Sequence, residues 1–215
     1  MGRLLFMLCS SLPLLSGLVM VVEPQARLTK RVVFVVDVSG SMRGDKLGAA
    51  CTAVMTALQQ PVDEMEIAVI AFNDQPRRWP GIPEEGERKV PKGWAALPSQ
   101  DAVKAAEKFL SELGAGGDTQ VIPALREGLA EPRDDLSLVL VSDGIFQRES
   151  PDEVMAAFEA GQKQREEREL GRAVLMVYGV GSESGVLRRL AEGGRGGYLR
   201  EPLVRLPDPV QGSLR

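Results

Sequence analysis

The stretch Val32 to Met42, V-V-F-V-V-D-V-S-G-S-M, constrains this chain more than any other. It begins as an almost unbroken apolar run rich in β-branched residues and ends in small oxygen-bearing side chains. An apolar run without alternation suits a parallel strand buried on both faces. The polar cluster then falls just past the strand's carboxyl end, where open α/β sheets place their ligand sites. Asp37, Ser39 and Ser41 alternate with Val38 and Gly40, so a tight loop can turn three oxygens toward one point. A carboxylate with two hydroxyls is a hard, oxygen-only set, which suits Mg²⁺ over a soft metal.

The rest of the chain reads as strands alternating with helices. Strand one covers about Arg31 to Asp37, and Lys46 to Gln60 has apolar residues at helical spacing up to Pro61. Met65 to Phe72 reads as a second buried strand, and Gln75 to Pro80 as a short edge strand. Gly81 to Pro98, with three prolines, the acidic cluster Glu84, Glu85 and Glu87, and Trp94, reads as an irregular surface excursion. Trp79 and Trp94 are each expected to pin a loop to the body. Ser99 caps a helix running to Leu113, Gly114 to Gly117 ends it, and a short helix follows through Leu129. Leu136 to Val141 is the next buried strand. Ser150-Pro151-Asp152-Glu153 is a capping box with proline in the first turn, opening a helix that ends in the charged run Lys163 to Glu169. Ala173 to Val180 is a further strand, Val186 to Ala191 a short helix, and Gly197 to Arg200 a last edge strand. This alternation implies right-handed crossovers and a mainly parallel sheet covered on both faces.

Composition removes several function classes. The chain has 215 residues, 44% hydrophobic and 26% charged, enough for one domain with an ordinary core. A net charge of −4 and no basic stripe argue against nucleic-acid binding. With no histidine, Ser-His-Asp and Cys-His catalysis and the commonest zinc ligand are excluded. Cys9 and Cys51 form no metal or redox motif. Gly114-x-Gly116 follows a helix instead of a strand, so it is no dinucleotide fingerprint, and no phosphate-binding G-K-[ST] loop occurs. Residues 1–26 read as a signal peptide or an N-terminal membrane anchor, with Leu4 to Val22 as the apolar run. Ala26 with Pro24 two residues before it is a poor cleavage site, whereas the run is just long enough for an anchor. Either reading implies export, to the periplasm or outside, or attachment to a membrane through residues 4–22. The Pro-rich segment 202–215 reads as a flexible tail.

D-x-S-x-S after a hydrophobic strand resembles the opening of the metal-ion-dependent adhesion site of von Willebrand factor type A domains. That pattern also needs a threonine in a glycine-rich loop and an aspartate after a later central strand. Thr119 in Gly116-Gly117-Asp118-Thr119 and Asp143 in Leu138-Val139-Leu140-Val141-Ser142-Asp143-Gly144 supply both, in order. The likeness covers residues 31–201. It implies a Rossmann-like three-layer α/β/α fold with a mainly parallel six-stranded sheet in the order 3-2-1-4-5-6, strand three antiparallel. Strands one and four are then neighbours, which brings Asp37 and Asp143 to one sheet end. The resemblance further implies that Ser39 and Ser41 ligate Mg²⁺ (Mn²⁺ as the alternative) directly. Thr119 would do so directly or through water, and Asp37 and Asp143 mostly through water. Singly, each residue has a plainer reading: Asp and Ser after a strand form turns, S-D-G is a turn, and Thr119 caps a helix. In combination and in order, they point to a site. Asp118 adds a carboxylate directly before Thr119.

The expected function is therefore a non-enzymatic, Mg²⁺-dependent module that captures a partner protein through an exposed Asp or Glu. One alternative is a structural subunit of a membrane-associated complex whose metal only stabilises the fold. Another is a Mg²⁺-dependent phosphohydrolase with Asp37 as nucleophile. Against the latter stand Ser39 where a second aspartate would be needed, the absence of histidine, and no phosphate-gripping lysine near the motif.

Overall fold

The computed structural model describes residues 28–59, 64–80, 93–181 and 184–200. The N-terminal apolar segment, the acidic cluster at Glu84 to Glu87 and the tail from Pro202 lie outside these residues. In chain order the elements are β1 (Arg31–Asp37), a 3₁₀ turn (Gly40–Met42), α1 (Asp45–Leu58), β2 (Met65–Phe72), β3 (Pro76–Trp79) and β4 (Ala95–Leu97). Then follow α2 (Gln100–Ser111), α3 (Val121–Leu129), β5 (Leu136–Ser142), α4 (Pro151–Glu167), β6 (Val174–Gly179), α5 (Gly185–Gly193) and β7 (Arg195–Arg200).

The strands form one sheet in the order β3-β2-β1-β5-β6-β7, with β1, β2, β5, β6 and β7 parallel and β3 antiparallel on β2. The expected order therefore holds, with one addition. Ala95–Leu97, inside the stretch read as irregular, forms a seventh strand, β4, antiparallel to the start of β2. β3 and β4 thus share one edge of β2 end to end. A three-residue strand carries no alternation that could be read beforehand. Both tryptophans are held as expected. Trp94 is buried, donates from Nε1 to Glu131 Oε2 at 2.9 Å, and has the guanidiniums of Arg78 and Arg133 over its ring at 6.0 and 5.9 Å from the centroid. Trp79 is partly buried against the core.

Alternate residues of the central strands feed two cores. Val32, Phe34 and Val36 face α1 and α2, while Val33 and Val35 face α3, α4 and α5. Burying one such side chain contributes about 1.5–3 kcal/mol. The helices begin where their caps dictate. Ser99 accepts from Ala102 N, and Ser150 with Glu153 closes the capping box in both directions. α3 approaches the sheet closely at Gly128, where a Cβ would lie 2.5 Å from Leu138 Cδ2.

The end of the sheet remote from β1's carboxyl terminus has its own polar anchor. Arg165 of α4 is 1% exposed and lies against the carboxyl end of α3, where the helix dipole is negative. Its guanidinium donates to the carbonyls of Leu129 (3.3 Å), Glu131 (2.8 Å), Arg133 and Gly171 (2.9 Å). Four backbone acceptors thus depend on one side chain, and each left unpaired inside a protein costs about 1–3 kcal/mol. Arg165→Met is expected to lower stability by about 3 kcal/mol or more in urea denaturation. Arg165→Lys should recover little of this loss, because an ammonium lacks the planar fork that reaches four carbonyls.

Candidate functional site

Asp37 ends β1 and Asp143 follows β5, and the parallel pairing of these strands (Val36 opposite Val141) sets both carboxylates at one sheet end. Asp37, Ser39 and Thr119 are fully buried, Asp143 is buried, and Ser41 is half-buried. Asp37 Oδ1 accepts from Ser39 N at 2.9 Å, and Oδ2 accepts from the Ser142 hydroxyl at 2.7 Å. The Ser39 and Ser41 hydroxyls are 3.0 Å apart, and Ser41 Oγ donates to Asp143 Oδ1 at 3.3 Å. Four of the five candidates are therefore joined in one hydrogen-bonded chain.

Thr119 reaches the cluster through its loop. Gly40 N donates to Gly117 O at 3.0 Å and Gly116 N to Val38 O at 2.9 Å, which laces the glycine loop to the loop after β1. Its hydroxyl hydrogen-bonds to none of the other four, and Oγ1 is buried without a hydrogen-bond partner among the described residues. Such a group costs about 1–3 kcal/mol and calls for an explanation.

Burial pushes the Asp37 carboxyl above the ordinary carboxylate range. The Ser142 hydroxyl and the Ser39 side chain and amide oppose this, and the neighbouring charge of Asp143 adds to it. A cation nearby would relieve both the burial and the repulsion. No group of three or more His, Cys, Asp or Glu side chains gathers among the described residues. The donors here are two carboxylates and three hydroxyls, and this hard set with one orphaned oxygen fits a hard divalent cation.

Sequence reading missed several residues that build the site. Asn73 and Asp74 follow β2 at the same sheet end. Asn73 Nδ2 donates to Gly116 O and Gln120 N to Asn73 O, both at 3.0 Å, while Asp74 Oδ1 accepts from Asp118 N at 3.0 Å. Their position just past a buried strand was the available signal. Glu149 accepts from the amides of Val121 and Ile122, fixing the start of α3 directly after Thr119. Nothing in the sequence marks that pairing. Asp118 is ion-paired with Arg148. Lys46 is a further residue of the site that the sequence did not mark: its ammonium lies 2.7 Å from Asp143 Oδ2, engaged by a carboxylate. The turn after Met42 carries the start of α1 back over the loop. Ile145, beside Asp143, is an exposed large hydrophobic side chain on the rim.

A family model described as von Willebrand factor type A domain matches residues 30–199. Inter-alpha-trypsin inhibitor heavy chain H2 from Homo sapiens is 27% identical over 128 residues, covering 54% of this chain and 12% of that protein. The Sus scrofa protein of the same name is 26% identical over 133 residues, covering 57% and 13%. The chain thus spans about an eighth of the length of these relatives. Among solved structures, a von Willebrand factor type A protein from Catenulispora acidiphila superposes with a TM-score of 0.63 at 21% identity, over 80% of this chain and 38% of that one. The ArnB paralog VWA2 from Sulfolobus acidocaldarius does so with a TM-score of 0.52 at 16% identity, over 81% and 42%. At these identities the structural likeness speaks for the fold.

Two outcomes test how the Thr119 loop is held. Gly117 has φ +75°, and a Cβ there would lie 2.3 Å from Asp74 Oδ2. Gly117→Ala is therefore expected to cost about 1–3 kcal/mol in thermal or urea unfolding and to displace the loop that carries Thr119. Burial raises the Glu149 carboxyl above its ordinary value, against the pull of the Val121 and Ile122 amides. Between the ordinary and the raised value the folded chain holds a proton that the unfolded chain has released. Stability from this group is therefore full below about pH 4.3 and falls as pH rises through the raised value. Urea midpoints across that window should decline less for Glu149→Gln than for the wild type.

Proposed function

The chain belongs to the von Willebrand factor type A domain family, and from that premise we propose that it is a non-enzymatic protein-binding module that works through a metal-ion-dependent adhesion site. Asp37, Ser39, Ser41, Thr119 and Asp143 hold Mg²⁺, with Mn²⁺ as the alternative, and the partner protein presents an Asp or Glu. The observation that carries this reading is the buried Thr119 hydroxyl, which lacks a partner on a loop laced by backbone hydrogen bonds to the loop of the linked hydroxyls and carboxylates. When bound, the cation supplies an electrophilic position that a partner's carboxylate can fill.

The chain's own residues divide the work. Asp37 has both oxygens engaged by Ser39 and Ser142, so it contributes charge from a fixed place behind the hydroxyls. Ser39, Ser41 and Thr119 supply neutral oxygens, which leave a cation's charge largely unquenched. Asp143 Oδ1 accepts from Ile145 N at 3.1 Å as well as from Ser41, which orients the second carboxylate. The geometry disfavours the phosphohydrolase alternative, because a fully buried Asp37 with both oxygens hydrogen-bonded is poorly placed for nucleophilic attack.

Metal titration tests the reading. At one hundred times its dissociation constant, Mg²⁺ adds about 2.7 kcal/mol to the chelator-stripped protein, an upward Tm shift of roughly 5–10 °C for a chain of this size. Asp37→Ala should abolish the shift. Thr119→Val is the sharper variant: it should leave the stripped protein as stable as the wild type, or about 1 kcal/mol more so, and still remove the response to Mg²⁺. Partner capture that requires Mg²⁺ and is lost in Asp37→Ala would support adhesion. A Tm shift with capture indifferent to EDTA would favour a metal that only stabilises the fold.

A further inference from the structure

Lys46 sits in the first turn of α1, at the positive end of the helix dipole, where a cation is unfavourable. Gly44 at the cap offers no side chain to offset it, and the acidic residue of that turn, Asp45, forms no ion pair with it among the contacts that hold Lys46. What holds the ammonium there is the site. It donates to Asp143 Oδ2 at 2.7 Å and to the Ser41 carbonyl at 3.2 Å. Its stem passes the loop after β6 so closely that a Cβ on Gly181 would lie 3.3 Å from Lys46 Cε. The lysine side chain keeps 34% of its exposure while Asp143 keeps 1%, so a rim cation covers one oxygen of a buried carboxylate. The other oxygen of Asp143 faces the Ser41 hydroxyl.

We propose that Lys46 sets the charge of the metal site, weakening its hold on the divalent cation and leaving the loaded site positive, so that it takes up one carboxylate. This rests on the metal-binding reading above. Two carboxylates and one ammonium give the donors a single negative charge, which a divalent cation converts to a single positive one. One carboxylate from a partner then neutralises the site. Without Lys46 the loaded site would already be neutral: it would hold the cation more tightly and attract a carboxylate less. Asp118 does not upset this balance, because it is paired with Arg148, and Asp74 is exposed. By engaging Oδ2, Lys46 also leaves Asp143 with one oxygen fewer to offer a cation. Removing one unit charge 2.7 Å from a donor carboxylate, at the effective dielectric of a protein surface, should change affinity for a cation by about tenfold or more.

The test is Mn²⁺ binding by the full chain, read from the EPR signal of free Mn²⁺, with and without acetate as the carboxylate probe. Wild type, Lys46→Met and Lys46→Gln are compared. Both neutral variants should bind Mn²⁺ about tenfold more tightly, and acetate should tighten Mn²⁺ binding only in the wild type. Unchanged affinity in both variants overturns the role of Lys46 and leaves the metal reading standing. Weaker binding in both overturns it as well, making the lysine a loop support. No Mn²⁺ binding by any of the three proteins overturns the metal reading and this inference together.

Discussion

Asp37 is a carboxylate with no exposure to water, and the arrangement of the whole sheet end depends on keeping it satisfied. An unpaired buried charge would cost far more than a domain can spare. The donors that meet it come from two places distant in sequence: the Ser39 amide in the loop it opens, and the Ser142 hydroxyl at the end of β5. Strand pairing and loop conformation are therefore coupled through one side chain. If β5 slipped by one residue against β1, Ser142 would turn to the other face and Asp37 would lose its second oxygen's partner.

The same logic extends outward. The loops after β1 and β2 and the loop before α3 exchange backbone hydrogen bonds, so that none moves without the others. α3 is fixed at its start by Glu149 and along its length by the contact at Gly128, which together decide where Thr119 stands. At the opposite end, Arg165 gathers the carbonyls of the loop leaving α3. Apolar packing on both faces supplies the bulk of stability, and these polar fasteners determine which loop geometry the stability supports.

The rim of the site combines features that suit an encounter with an anionic group. Lys46 is fixed in place, Arg148 is partly neutralised by Asp118, and the donors behind them are neutral hydroxyls backed by carboxylates. Were the proposed cation held by such donors, it would keep its pull on an incoming carboxylate, because the negative charges that balance it would be engaged elsewhere. Specificity would then come from the rim, where Ile145 and the charged residues differ from position to position around a common centre.

The sequence by itself determined the alternation of strands and helices, the caps at Ser99 and Ser150, the sheet order through the family pattern, and the five oxygen-bearing residues gathered at one sheet end. These were legible because they rest on local chemistry: apolar runs at strand or helix period, capping side chains, and polar residues just past strand ends. It did not reveal β4, whose pairing with β2 depends on an edge supplied from thirty residues away and not on its own three residues. Nor did it reveal Lys46 on Asp143, Glu149 on α3, or Asn73 and Asp74 on the glycine loop. Those contacts join residues 27 to 97 positions apart. Only the folded sheet, by bringing the ends of β1, β2 and β5 together, decides which of many exposed-looking polar residues become partners. A long-range hydrogen bond leaves no periodic trace in the chain that makes it.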